Sequence, residues 1–188
     1  RDAAFEATKE LLKIDELSGL EKLEKCNQNI LDLKVGAKST VAFAQIDGDL
    51  LRFYSVGDSE ILYWNAIGRK IYSSIPSSIS GFKVAAGILD QEKSLEEPDR
   101  NIVFSLLGDE FIRIQSTSSF EFKKGQTVLI GSDGLFDNLS HKNIEKILAK
   151  EDFEGSFTSM GEACIKQDPD SWIKEDDISF ILIRKTKA

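Results

Sequence analysis

Thr127-Val128-Leu129-Ile130-Gly131-Ser132-Asp133-Gly134-Leu135-Phe136-Asp137-Asn138 is the stretch on which the reading of this chain turns. An apolar, strand-like run meets Ser-Asp-Gly and then a short helical pattern. Asp133 stands at the strand's end. The glycine after it lets the backbone turn sharply and leaves room for a ligand. Asp137, four residues on, shares its side of a helical turn. Both acids also have a plain use, Asp133 as a turn residue and Asp137 as a helix-start charge. The stretch by itself leaves both readings open.

Composition narrows the field. The chain has 188 residues, 24 Lys and Arg against 32 Asp and Glu, a formal net charge of -8, one His and two Cys. A 41% hydrophobic content supports a single domain over 1–188 with its own core. The acidic balance argues against nucleic-acid backbone as a partner. His141 alone cannot build a two-histidine zinc site, and a Ser-His-Asp triad would have to use it. Cys26 and Cys164 follow no metal or redox spacing, so a reducing, cytoplasmic compartment is expected. No apolar run reaches about 18 residues, so no membrane span is expected. The start lacks Met and a signal pattern and opens inside a helical stripe, which predicts further sequence upstream.

Ala4, Ala7, Leu11 and Ile14 predict a helix over 2–14, and Leu20 to Leu33 a second. After Gly36 the pattern changes to strands: Ser39 to Ile46 and Leu50 to Val56 around Asp47-Gly48, then Ile61 to Trp64 and Arg69 to Ser73 around Gly68. Four strands in a row predict one antiparallel sheet. Residues 74–100 have no period and read as a surface flap. Strands are predicted at Ile102 to Leu107 and Phe111 to Ser116. A further hairpin is predicted to join Phe120–Lys123 to Thr127–Gly131. Helices are predicted over Lys142–Ala149, capped by Ser140, and Phe157–Lys166, with a last strand at Ile178–Arg184. The class is α+β, an antiparallel sheet covered by helices. His141 reads as an exposed helix-start residue, and Trp64 and Trp172 as packing residues.

Two other acidic sites share the form of the opening stretch. Gly57-Asp58-Ser59 follows one apolar strand, and Glu175-Asp176-Asp177 precedes another. Carboxylates about 5 Å apart repel by roughly 3 kcal/mol at an effective dielectric of 20. If the fold gathers these acids, they must be spread apart, protonated or bridged by a cation. With no histidine pair, that cation is Mg²⁺ or Mn²⁺ before Ca²⁺.

Five segments in order resemble the PPM (type 2C) metal-dependent Ser/Thr protein phosphatases. They are Gly36-Ala37-Lys38-Ser39-Thr40-Val41-Ala42, Val56-Gly57-Asp58-Ser59, Leu106-Leu107-Gly108-Asp109, Ile130-Gly131-Ser132-Asp133-Gly134-Leu135-Phe136-Asp137 and Asp176-Asp177-Ile178-Ser179-Phe180-Ile181-Leu182. The resemblance implies two packed antiparallel sheets flanked by helices, an αββα sandwich lacking its N-terminal strands. It implies hydrolysis of phosphoserine and phosphothreonine on proteins by a water bridging two Mn²⁺ or Mg²⁺ ions. Carried over by position, Asp133 and Asp176 would ligate the paired metals. Asp58 and Asp137, with Asp133, would serve the additional site of many members. Asp177, at the family's Asn position, would support the ligands from behind.

The resemblance also shows departures. The family's first-strand Arg and acidic pair, and its Asp-Gly-His-Gly-Gly with the proposed general acid, would lie upstream of Arg1. The chain taken alone is therefore expected to turn over little. Glu60 replaces the Arg common after Gly-Asp-Ser, and Ser105 an Arg before Leu-Gly-Asp; both are expected to reshape the substrate edge. These departures also motivate an alternative, a pseudophosphatase of the same fold acting as a regulatory interaction module.

Overall fold

The computed structural model describes residues 2–13, 17–165 and 176–186. The predicted ends of helices at Ile14 and Lys166, together with Trp172 and Glu175, lie outside them. Helices α1 (Asp2–Leu11) and α2 (Gly19–Asp32) come first. Ser18 caps α2 in a reciprocal pair with Glu21, which satisfies two otherwise orphaned backbone donors. The two helices pack through Ala3, Ala7, Leu23, Cys26 and Ile30. Glu10, enclosed at the end of α1, pairs with Lys13 and, at 2.9 Å, with Lys25 of α2.

One sheet centres on β2 (Leu50–Val56), which pairs with β1 (Val41–Asp47), β5 (Gln115–Ser116) and β6 (Phe120–Glu121). The other has the order β4 (Lys70–Ser73), β3 (Glu60–Trp64), β7 (Thr127–Gly131), β8 (Phe180–Arg184). All named pairings are antiparallel. Leu51, Phe53, Ile61, Tyr63, Phe122 and Val128 fill the space between the sheets. The helix pair α1 and α2 covers the first sheet. The second is covered by α5 (His141–Lys150) and α6 (Phe153–Ile165) through Trp64, Leu129, Ile144, Met160 and Leu182. The result is an αββα sandwich. Each buried Leu, Ile or Phe contributes roughly 1.5–3 kcal/mol. No described helix is long and apolar enough to cross a membrane.

Four sequence readings are corrected. The first four strands do not form one sheet: β1 and β2 lie in one layer, β3 and β4 in the other. The chain changes layers at Gly57-Asp58-Ser59. Gly57 has φ +101, and a Cβ there would lie 2.6 Å from Thr40 Cγ2, so only glycine makes the crossing. The expected hairpin of Phe120–Lys123 with Thr127–Gly131 is a second layer change, since β6 pairs with β2 and β7 with β3. The strands expected over Ile102–Leu107 and Phe111–Ser116 shrink to single bridges at Val103 and Leu107 and to β5. There Ser105 Oγ accepts from Arg113 N (2.8 Å) and Asp109 Oδ2 from Leu106 N (2.9 Å), bending the chain out of a ladder. The aperiodic 74–100 segment contains α3 (Ile79–Ala85), capped by Ser78, and a 3-10 turn at Lys93–Glu96.

Candidate active site

Strand β7 ends at Gly131, and the chain turns at once into α4 (Asp133–Phe136). Leu135 and Phe136 bury into the core and fix the turn, while Asn138 Nδ2 donates to Gly134 O at 2.9 Å. Asp133 Oδ1 accepts from Gly134 N at 3.0 Å. Ser132 staples the segment before β8 to this turn. Its N–H donates to Ser179 O (2.9 Å), and its Oγ accepts from Ser179 N (3.1 Å) and donates to Asp177 O (3.4 Å). A Cβ at Gly134 would sit inside van der Waals contact with the Asp177 carbonyl, so glycine permits this approach. The segments carrying Asp133 and Asp176 are thereby held backbone to backbone.

Asp58, Asp133 and Asp137 line one cavity of about 330 Å³, shared with residues of α3 and the 74–100 excursion. Asp58 reaches it from the layer change, which Thr40 Oγ1 and Ser59 Oγ brace at 2.9 Å and Ser77 N ties through Gly57 O. Asp176 and Asp177 are exposed and lie outside its lining; Asp176 Oδ1 accepts from Asp177 N at 2.8 Å. Among the described residues, no three acidic, His or Cys side chains converge enough to hold one ion by themselves. The donors are nevertheless all oxygen, which suits a hard cation, and Mg²⁺-type ions keep several waters. Asp133 and Asp176, on the stapled segments, offer oxygen donors of that kind.

Three features in and around the site were not read from the sequence. His141 is buried, not exposed: its Nε2 hydrogen-bonds Glu60 Oε2 at 3.1 Å, and its ring meets Phe136 edge-on. Glu60 thus has a buried partner inside the cavity wall. Arg100, at the end of the excursion, places a terminal guanidinium nitrogen 3.8 Å from Asp137 Oδ2. No local pattern announces either contact, because the partners are separated by 81 residues in one case and by 37 (137 minus 100) in the other. Third, the Leu107-Gly108-Asp109 motif lies outside the cavity lining and braces α2. Asn27 accepts from Gly108 N (2.6 Å) and donates to Asp109 O (3.0 Å). The ammonium of Lys38 and the Leu106 N–H hold the Asp109 carboxyl below its ordinary pKa against the opposing effect of burial.

No family model matches the chain. A curated relative, the putative protein phosphatase 2C 23 of Oryza sativa subsp. japonica, is 26% identical over 113 residues, which are 60% of this chain. The chain spans only 30% of that relative's length. Among solved structures, the serine/threonine phosphatase PstP/Ppp of Mycobacterium tuberculosis superposes with TM-score 0.79 and 20% identity, covering 99% of this chain and 82% of that one. The catalytic domain of PstP in complex with 2 manganese ions gives TM-score 0.69 and 21% identity over 87% of this chain and 74% of that one. These likenesses agree with the ordered motifs: the chain has the fold of the PPM Ser/Thr phosphatases.

Proposed function

We propose that the protein hydrolyses phosphoserine and phosphothreonine on protein substrates at a centre of Mn²⁺ or Mg²⁺ ions. Asp133 and Asp176 would hold the paired ions, and Asp58 and Asp137, with Asp133, an additional one. Asp177 would support the set through the carbonyl that meets Gly134. The observation that carries this reading is the Ser132 staple, which sets two carboxylate-bearing segments side by side at the end of β7. When bound, the ions supply Lewis-acid stabilisation of phosphoryl charge and lower the pKa of the attacking water. The chain's own part is placement. The β7–α4 turn fixes Asp133, the layer change fixes Asp58, and residues of the excursion line the same cavity.

The alternative, a pseudophosphatase serving as a protein-interaction module, draws support from Arg100 standing at Asp137. A phosphothreonine peptide assay of the full-length protein separates the two. The enzyme reading expects Mn²⁺-dependent release of phosphate, lost on chelation and cut about 100-fold or more by Asp133→Asn, since even residues behind a metal's ligands cost 10–100-fold. Mn²⁺ binding with no turnover selects the pseudophosphatase.

A further inference from the structure

The cavity that receives Asp58, Asp133 and Asp137 contains a cation of its own. The Arg100 side chain is only 6% exposed, and its guanidinium faces the Asp137 carboxylate across 3.8 Å. Its other terminal nitrogen donates to the Leu95 carbonyl, and its backbone N–H donates to Glu97 O. Glu97 in turn pairs with Lys83 of α3 at 2.5 Å. The guanidinium is therefore built into the excursion and is not a free surface charge. A guanidinium is a fork of N–H donors with no acceptor, so it competes with a metal ion for carboxylate oxygen.

We propose that Arg100 is an internal competitor for the cation site at Asp137. A divalent ion that takes Asp137 must displace the guanidinium, and with it the 94–101 segment tied through Leu95 and Glu97. Metal occupancy and the position of the excursion are thus one coupled equilibrium. The coupling is reciprocal: whatever holds the excursion against the cavity weakens the ion, and the ion loosens the excursion. The proposal rests on the metal reading above and adds a residue whose effect on the ion is opposite in sign to that of the aspartates.

Calorimetric titration of the full-length protein with Mn²⁺ tests it. Arg100→Gln is expected to bind the Asp137-dependent ion about tenfold tighter than wild type, a coupling of ordinary size. Asp137→Asn should remove that ion in both backgrounds. In parallel, saturating Mn²⁺ should speed amide exchange in 94–101 of the wild-type protein; this measurement decides the matter if the Gln variant does not fold. Equal affinity in wild type and Arg100→Gln overturns the proposal and leaves the metal reading standing. So does Mn²⁺ binding without any change in exchange. Absence of Mn²⁺ binding in both proteins overturns the metal reading and this proposal together.

Discussion

His141 illustrates how a single residue changes meaning between sequence and structure. It begins α5 just after its Ser140 cap, a position that ordinarily faces water, yet it is buried against Phe136 and Glu60. Glu60 stands where the resemblance expects an arginine, and the structure gives that departure a partner in His141. The pair is therefore a packing contact in the cavity wall. His141→Ala leaves the Glu60 carboxylate buried without this hydrogen bond and is expected to cost about 1–3 kcal/mol in urea unfolding. With Glu60→Gln, the double-mutant cycle should show a coupling of about 1 kcal/mol. Strict additivity would mean the two side chains do not act together. Ser105, the other departure, is buried and holds Arg113 N in a loop turn.

At the scale of elements, α1 depends on a small apolar stripe and one charged anchor. The hydrogen bonds from Lys13 and Lys25 draw the Glu10 carboxyl from its ordinary value of 4.5 down to about 2, outweighing the opposing effect of burial. A carboxylate with a lowered native pKa binds fewer protons folded than unfolded in that window. Its stabilising contribution is complete above about pH 4.5 and disappears as the pH falls towards 2. Glu10→Gln should therefore flatten the acid limb of stability between these limits, followed by thermal melts at stepped pH. An unchanged limb would contradict the anchor. Much of this scale was legible in the sequence. Gly48 and Gly68 mark the two real hairpins with positive φ, and Ser140 caps α5 as its position predicts. What failed was the assignment of strands to sheets. A hairpin and a layer change look alike locally, because both are apolar runs separated by a glycine turn. Only contacts such as Gly57 on Thr40 decide between them.

The whole molecule joins segments that the sequence scatters. Five motifs in order pointed to the fold, but the structure gives them unequal tasks. Leu107-Gly108-Asp109 braces α2, Gly57 carries the layer change, and Ser132 staples the two segments bearing Asp133 and Asp176. Sequence spacing showed Asp133 and Asp137 on one side of a turn, and the cavity lining contains both together with Asp58. It could not show Arg100, whose place beside Asp137 depends on the path of the 74–100 excursion. We propose above that Asp133 and Asp176, carried on the two segments that this staple joins, hold a divalent cation. Calorimetric titration of the full-length protein with Mn²⁺ tests it most directly. Saturable binding is expected, which Asp133→Asn and Asp176→Asn each weaken about tenfold or more, in keeping with the sensitivity of metal sites to their supporting groups. No binding at millimolar Mn²⁺, or wild-type binding by both variants, would contradict it.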